Sequence, residues 1–295
     1  MKLSFIILTY KRGELLKKCL ESIIMQQGLP QPYEILIVDN GGDVSVSESA
    51  NPDIHIRVIT PPENIGPVAG HNLGMKHAQG QYWIFIDDDE WWHDADDAAR
   101  LVHFLDTHPT CGAVAFKTID LDGHVIPGEL PHPDKPYILA CRDPVEVPYF
   151  YEGVCALRAE AVQQVGDYPE RYYYGMEGPD LALRMMDAGY RVYYEPDSAV
   201  YHARSPQGRT AGAKYWHNMT LNKSRMAWRL LPLPYPLTTL FIWSAKTLLE
   251  THRPAPVWAA WRNLWRERRL LAAERKPIKP ETVRYLRQIG ARLLY

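Results

Sequence analysis

Apolar residues in the first part of the chain follow two alternating patterns. Four continuous apolar runs have the composition of strands buried on both faces of a sheet. Between them lie segments whose apolar residues recur at helical spacing. The predicted strands are Leu3–Thr9, Glu34–Val38, Ile54–Thr60 and Gln81–Ile86, and the predicted helices are Arg12–Gln27 and Pro67–Gln79. This alternation over the first ~120 residues predicts an α/β fold with a mostly parallel sheet flanked by helices.

The pattern is less regular in the middle of the chain. It predicts strands near Ala113–Thr118, Val147–Leu157 and Arg191–Tyr194, and helices at Ala159–Val165 and Pro179–Gly189. Pro near the start and Gly at the end support the second helix. Beyond His202 the pattern becomes helical and basic.

Polar residues cluster where three of the predicted strands end. Ligands of parallel sheets bind beyond the carboxyl ends of the strands. Those ends hold Thr9-Tyr10, Asp39-Asn40 and Asp87-Asp88-Asp89. If the three strands are neighbours, these residues form one site.

Asp87-Asp88-Asp89 is the most informative of these clusters. Three adjacent carboxylates repel one another unless a cation offsets them, and Mg²⁺ or Mn²⁺ shared with substrate phosphates would do so. An acidic solvated turn is the alternative, and the buried strand before the cluster weighs against it. Asp39-Asn40 could accept hydrogen bonds from a base or a ribose, or could simply form a turn with Gly41-Gly42.

Small residues surround the start of the second predicted helix. Gly66, Gly70 and Gly74 accompany Asn64 and Asn72 there. Small residues let backbone approach a ligand, and a helix N-terminus favours phosphate. The spacing matches neither a dinucleotide fingerprint nor a P-loop.

Together these motifs resemble family 2 inverting glycosyltransferases of the GT-A fold, most closely the rhamnosyltransferase-like members. The first half carries the resemblance in FIILTYKR, LIVDNGG and ENIGPVAGHNLGMKHAQGQYWIFIDDD. The second half carries it in EGVCALRAEAVQQVGDYPERYYYGMEGPDLALRMMDAGYRVYYEPDSAVYH. The resemblance spans residues 3–202 and does not extend clearly beyond them.

The resemblance implies a role for each motif on the donor side. It implies a divalent metal cofactor, Mn²⁺ or Mg²⁺, and a nucleotide-sugar donor, UDP- or dTDP-linked. The metal ligands would be Asp89, Asp87 and His202, although His202 could equally be a structural histidine in a strand. The nucleotide sugar would bind Thr9, Tyr10, Asp39, Asn40, Gly66, Asn72, Asp87 and Asp88.

Inversion requires a general base that takes the proton of the acceptor hydroxyl. The family usually has Glu-Asp-x-Asp ahead of the acceptor helix, whereas this chain has Glu177-Gly178-Pro179-Asp180. Gly178 therefore stands where the presumed base would be. We expect Glu177 to be the base, with Asp180 as the second candidate. Asp180 could instead stabilise the helix N-terminus or pair with Arg184.

Charge divides the chain in two. Residues 1–202 hold 15 Lys and Arg against 31 Asp and Glu, while residues 203–295 hold 18 against 4. We predict a catalytic domain over 1–202, with nucleotide-binding and acceptor halves at 1–118 and 119–202, and a basic helical region over 203–295. Trp258, Trp261 and Trp265 share one helix face there, and arginines lie around it. This pattern is typical of a helix at an anionic membrane, and the alternative is packing on the catalytic domain.

Composition narrows the remaining choices. With 46% apolar and 23% charged residues the chain is globular rather than disordered. Nucleic-acid binding is a poor fit because the catalytic half is acidic and carries no such motif. Scattered cysteines and the short N-terminal apolar run favour the cytoplasm or the cytoplasmic face of a membrane. The acceptor would be a lipid-linked or cell-surface glycan precursor. The tyrosine-rich stretch Tyr168–Tyr174, with Tyr149–Glu152 and Trp91-Trp92, could line its groove, and the alternative is that some of these rings are ordinary core residues. Two alternatives are a catalytically impaired membrane-bound scaffold, favoured by Gly178, and a sugar-1-phosphate nucleotidyltransferase.

Overall fold

A computed structural model describes residues 1–46, 49–205 and 212–293. Within these ranges nine strands form one sheet. They are β1 Leu3–Thr9, β2 Tyr33–Asp39, β3 Ile54–Ile59, β4 Tyr82–Ile86, β5 Glu90–Trp92, β6 Cys111–Ile119, β7 Val145–Glu146, β8 Val154–Arg158 and β9 Arg191–His202. The α-helices are α1 Gly13–Ile24, α2 Gly66–His77, α3 Asp97–Thr107, α4 Lys135–Ala140, α5 Ala159–Val165, α6 Glu177–Asp187, α7 Gly212–Leu230, α8 Tyr235–Thr251, α9 Ala255–Ala273 and α10 Pro280–Gln288.

The sheet has the strand order β3-β2-β1-β4-β8-β6-β9-β5, and β7 pairs with β9. β1 to β4 are joined by parallel pairs only, as the alternating pattern predicted. β8 pairs antiparallel with both β4 and β6, so the second half of the sheet is mixed. The predicted fold class, an α/β sheet flanked by helices with a helical C-terminal region, is confirmed.

The prediction of one strand over Val147–Leu157 was wrong. The chain forms the short β7, then an irregular segment, and then β8. Pro148 lies in that segment and has no N–H to donate to a neighbouring strand. By contrast, the strand predicted at Arg191–Tyr194 is longer than expected and carries His202 as its last residue.

Helices cover both faces of the sheet. α1 and α3 pack on one face through buried residues that include Leu16, Ile23 and Leu101. The other face is covered by α2, α5 and α6, and α7 and α10 belong to the same core through Met226 and Leu286. The apolar core is therefore continuous across His202, and the predicted domain boundary there stays a prediction. None of the helices in the described ranges combines the length and apolarity needed to span a bilayer.

One buried carboxylate joins α6 to the C-terminal region. Asp180 is fully buried and accepts a hydrogen bond from Tyr172 Oη at 2.7 Å and one from Arg184 Nε at 2.8 Å. Arg229, near the end of α7, forms a further ion pair with the same carboxylate. Two arginines and a phenol thus satisfy a charge that would otherwise be costly to bury.

We expect Arg229→Met to lower the free energy of unfolding by about 2 kcal/mol, because Asp180 loses one of its charged partners while remaining buried. Urea unfolding followed by circular dichroism measures the change. Arg262→Met, on the exposed surface of α9, is the matched control and should stay within about 0.5 kcal/mol of wild type. Equal stabilities of the two variants would show that the ion pair does not hold the C-terminal helices to α6.

Candidate functional site

The three predicted polar clusters lie together at one edge of the sheet. β1 pairs with both β2 and β4, so Thr9, Asp39 and the segment after Ile86 end side by side. This neighbouring order was the condition for a single site.

Asp88 is buried and contacts Thr9, the last residue of β1, and Arg12, which lies just after that strand. Thr9 Oγ1 donates a hydrogen bond to Asp88 Oδ2 at 2.7 Å, and Arg12 Nη1 lies 2.7 Å from Asp88 Oδ1. Arg12 also lies 3.5 Å from Asp89 Oδ1. Burial raises the pKa of Asp88, while Thr9 and Arg12 oppose that rise. Arg12 therefore offsets part of the negative charge of the acidic run, and sequence reasoning had not placed this residue in the site.

Two further carboxylates of this cluster are raised in pKa. Burial, followed by repulsion from Asp89, raises the pKa of Asp87 to about 6. Glu90 is 1% exposed and accepts a hydrogen bond from the backbone N–H of Asp87 at 2.9 Å. Burial, followed by repulsion from Asp87, raises the pKa of Glu90 well above its usual range. The cluster therefore favours any ligand that brings positive charge.

His202 faces Asp89 from the end of β9. Its Nδ1 lies 2.9 Å from Glu129 Oε2, and its Nε2 lies 3.8 Å from Asp89 Oδ1. One ion with ligand distances of about 2.1 Å could contact both of those atoms, because 3.8 Å is less than twice that distance. A histidine whose other nitrogen contacts a carboxylate is the usual arrangement of a metal ligand. The donor set of Asp89 and His202 thus fits a divalent metal such as Mn²⁺.

The predicted nucleotide-binding carboxylate Asp39 is engaged in a turn. Its Oδ1 accepts hydrogen bonds from Gly41 N–H at 2.9 Å and Gly42 N–H at 2.8 Å, and its Oδ2 accepts one from Val44 N–H at 2.8 Å. The neighbouring Asn40 donates to the carbonyl of Gly66 at 3.2 Å. Both residues lie at the predicted edge, and these contacts favour the turn that the sequence left open as the alternative.

The small residues of α2 serve helix packing. A Cβ on Gly70 would lie 2.5 Å from Leu8 Cδ1, and one on Gly74 would lie 2.5 Å from Ile6 Cγ2. Asn72 binds the backbone of Tyr168, donating to its carbonyl at 2.9 Å and accepting from its N–H at 3.1 Å. This geometry gives no support to a nucleotide contact by Asn72, and that role stays a prediction. Gly66 begins α2 with φ +80°, and the ring of Tyr173 lies against it.

Glu177 and Asp180 differ sharply in their surroundings. Glu177 is 3% exposed, and its Oε2 has no hydrogen-bond partner among the described residues. Burial is the main cause that raises its pKa to about 7. Asp180 has its two oxygens engaged by Tyr172, Arg184 and Arg229. The Asp180–Arg184 pair considered from the sequence is therefore present, and Glu177 is the better placed of the two to receive a proton.

Glu152 is a third carboxylate at this helix start. Its Oε1 accepts a hydrogen bond from the backbone N–H of Gly178. Burial, followed by repulsion from Glu177, raises the pKa of Glu152 well above its usual range. Sequence reasoning had grouped it with the tyrosines of an acceptor groove and had not considered it for catalysis. The available signal was a carboxylate directly ahead of a buried strand, here β8.

The tyrosines predicted for an acceptor groove divide into two groups. Tyr168 and Tyr172 are buried in the core, while Tyr173 and Tyr174 are exposed. Tyr149 and Tyr151 line a pocket of ≈ 170 Å³ that also contacts α6 and α7. The exposed and pocket-lining tyrosines are thus the ones available to an acceptor.

A sequence-family model covers most of the residues that form this site. The sequence model described as "Glycosyl transferase family 2" matches residues 4–166. An uncharacterized glycosyltransferase, YwdF of Bacillus subtilis, is 41% identical over 93 residues, which are 31% of this chain and 34% of that protein. Pre-mycofactocin glycosyltransferase of Mycobacterium tuberculosis is 28% identical over 187 residues, covering 59% of this chain and 38% of that one. These two matches span little more than a third of the length of each relative.

A third relative is covered more fully. N-acetylglucosaminyl-diphospho-decaprenol L-rhamnosyltransferase of Mycobacterium tuberculosis is 27% identical over 238 residues, which are 69% of this chain and 76% of that protein. Among solved structures, the mannosyltransferase PcManGT of Pyrobaculum calidifontis, in complex with GDP-Man and Mn²⁺, is 20% identical with a TM-score of 0.58, covering 97% of this chain and 79% of that one. TarS 1–349 of S. aureus in complex with UDP is 17% identical with a TM-score of 0.58, covering 84% and 72%. These likenesses show the GT-A fold.

We expect Gly70→Ala to destabilise the protein by about 1–3 kcal/mol, because the added methyl group would collide with Leu8 in a close-packed layer. Gly13→Ala is the control: the position is exposed, and a Cβ there meets nothing within 4 Å. Thermal unfolding of both variants measures the difference. A Gly70→Ala protein as stable as Gly13→Ala would show that α2 does not need the small residue for packing.

Proposed function

Because this chain belongs to glycosyl transferase family 2, we propose that it is an inverting, metal-dependent glycosyltransferase. It would move a hexosyl group from a nucleotide sugar, UDP- or dTDP-linked, to a hydroxyl of a lipid-linked or cell-surface glycan precursor. The observation that carries this proposal is the buried acidic cluster at the sheet edge, with His202 facing Asp89 at 3.8 Å. The decaprenol-linked acceptor in the name of the Mycobacterium tuberculosis relative supports the lipid-linked acceptor.

Asp89 and His202 would hold the divalent metal, with Asp87 as the further candidate. When bound, the ion supplies Lewis-acid stabilisation of the negative charge that develops on the leaving nucleoside diphosphate. Glu129 holds the imidazole of His202 through Nδ1, so that Nε2 stays directed at Asp89. Although burial alone would raise it, the hydrogen bond with His202 lowers the pKa of Glu129, which keeps that carboxylate ionised. Arg12 adds a second positive charge beside Asp88.

The donor nucleotide would occupy the edge between β1, β2 and β4. Thr9, Tyr10, Asp39, Asn40, Asp87 and Asp88 stay the proposed contacts there, with Gly66 at the start of α2. Tyr10 is 38% exposed at this edge and could pack on a base. The general base that takes the acceptor proton would lie among the carboxylates at the start of α6, away from the bound nucleotide. The sequence predicts Glu177 for this role.

The outer helices provide a separate surface, which we propose lies against an anionic bilayer. Trp258 and Trp265 on α9 are 71% and 67% exposed, and Phe241 and Leu249 on α8 are 60% and 72% exposed. The rings of Phe241 and Trp261 are in contact, with centroids 5.9 Å apart, so the two apolar faces are continuous. Exposed arginines lie around the same helix at Arg262, Arg266, Arg268 and Arg269. Apolar anchors with a surrounding positive charge complement an anionic lipid surface.

Asp89→Asn should weaken the Mn²⁺-dependent binding of nucleoside diphosphate by at least about tenfold, because the amide removes the charge that would bind the ion. Titration calorimetry with UDP, dTDP and GDP, each with and without Mn²⁺, measures this. Asp143→Asn is the control, since Asp143 is exposed and far along the chain from the cluster. An unchanged Mn²⁺ effect in Asp89→Asn would remove Asp89 from the proposed metal site.

Replacing both Trp258 and Trp265 by Ser should reduce co-sedimentation of the full chain with phosphatidylglycerol-containing vesicles by at least about tenfold, because the apolar anchors are lost. Wild-type binding should also fall at high salt, since screening weakens the attraction between arginines and anionic lipid. Met25→Ser, 73% exposed in the acidic half, is the control. Wild-type protein that stays in the supernatant, or that binds neutral vesicles equally well, would contradict the proposed surface.

A further inference from the structure

The start of α6 has no room for a side chain at position 178. A Cβ on Gly178 would lie 2.5 Å from the carbonyl oxygen of Phe150 and 2.8 Å from Glu152 Oε1. The first of these atoms is backbone and cannot move aside without displacing its segment. The second belongs to the carboxylate of Glu152, which therefore occupies the space that a side chain on residue 178 would enter. An acidic group is present at this helix start, and it comes from a different part of the chain.

Glu152 is held there by a contact that opposes the rise in its pKa caused by burial and by Glu177. The backbone N–H of Gly178 donates to Glu152 Oε1, and this N–H belongs to the first turn of an 11-residue helix. N–H groups at a helix N-terminus stabilise negative charge. This contact alone would make Glu152 a cap of α6. A catalytic role also requires that Glu152 lie close to the donor edge.

The segment formed by residues 152–153 lies between the two halves of the site. A Cβ on Gly153 would lie 2.7 Å from Cγ of Asp87, so the segment packs directly on the acidic cluster at the donor edge. On its other side stands Glu177, which is 3% exposed and has Oε2 unpartnered among the described residues. A buried carboxylate oxygen without a hydrogen-bond partner destabilises the protein unless a ligand donates a hydrogen bond to it. An acceptor hydroxyl placed between the donor edge and α6 would lie beside both glutamates.

We propose that Glu152 is the general base that takes the proton of the acceptor hydroxyl, with Glu177 as the adjacent carboxylate that binds the acceptor. This assignment rests on the proposed function. In the transfer the acceptor oxygen forms a bond to the anomeric carbon, and the bond from that carbon to the diphosphate oxygen breaks. The electron pair of the broken bond goes to the diphosphate, and the hydroxyl proton goes to the carboxylate of Glu152.

Several titratable groups face Glu152 from the elements around it. They are Asp87 after β4, Cys155 on β8, Tyr168 before α6 and Glu177 on α6, and Asp180 acts in turn on Glu177. Two neighbouring carboxylates cannot both ionise easily in a buried site, so Glu152 and Glu177 titrate as a pair. Removing the charge of Glu177 should therefore make Glu152 easier to ionise. The base would then be available at lower pH than in the wild type.

The experiment compares Glu152→Gln, Glu177→Gln and the control Glu160→Gln, which is exposed on α5. Glutamine keeps the oxygen that accepts from Gly178, so Glu152→Gln should fold, and circular dichroism checks this. Turnover is the Mn²⁺-dependent release of nucleoside diphosphate from a panel of UDP-, dTDP- and GDP-sugars, with an undecaprenyl-diphosphate-linked N-acetylglucosamine or water as acceptor. Binding of UDP, dTDP and GDP with Mn²⁺ is measured separately by calorimetry.

Glu152→Gln should lower kcat by about 100-fold or more, the usual range for loss of a general base, with nucleotide affinity within about threefold of wild type. Glu177→Gln should retain more activity than Glu152→Gln, and the acidic limb of its pH profile should move to lower pH. Glu160→Gln should match the wild type. A cap without a catalytic role predicts lower stability for Glu152→Gln with kcat unchanged, so this result would overturn the assignment.

The reverse pattern would also overturn it: an inactive Glu177→Gln beside a Glu152→Gln that keeps wild-type kcat would make Glu177 the base. Failure of the proposed function looks different from either result. In that case the wild type itself would neither bind a nucleotide with Mn²⁺ nor release one from any sugar donor, and the assignment of Glu152 would fall with it.

Discussion

The whole site depends on how negative charge is compensated at the carboxyl ends of the strands. Asp87, Asp88, Asp89 and Glu90 are adjacent in the chain and mostly buried, an arrangement that is unstable without nearby cations. Arg12, just after β1, forms an ion pair with Asp88, and His202, at the end of β9, faces Asp89. The residual negative charge is what would attract the proposed metal ion. Burial is the main cause that raises the pKa of Glu152 and Glu177, and the charge of Asp87 adds to the rise for both.

Local patterns were sufficient to predict the sheet edge. Apolar runs identified β1, β2 and β4, and the rule that ligands bind at the carboxyl ends of strands placed Thr9, Asp39 and Asp87–Asp89 together. The family resemblance and the fold class are likewise confirmed by the family match and by the solved structures. These features depend on residues close in sequence, whose period and order are visible in a single chain.

The contacts that give the site its chemistry join distant residues and were not visible in the same way. Arg12 meets Asp88 across 76 positions, and Gly178 meets Glu152 across 26. A glycine in place of an expected carboxylate suggested a loss, and the position of Glu152 ahead of β8 did not by itself show that its carboxylate lies against Gly178. Likewise, the glycines of α2 suggested a ligand, whereas their close approach to Ile6 and Leu8 depends on how a helix packs on a strand.

α7 connects the start of α6 to the outer helices α8 and α9. On one side Arg229 pairs with Asp180 near the start of α6, and on the other Thr220 is hydrogen-bonded to Thr247 of α8. A displacement of α8 and α9 would therefore be transmitted through a single rigid helix to the turn that carries Glu177. If the outer helices lie on a membrane, as proposed, the diameters of two packed helices would set the distance between that membrane and the carboxylates of Glu152 and Glu177. Acceptors would then be selected by the distance between their reactive hydroxyl and their anchor.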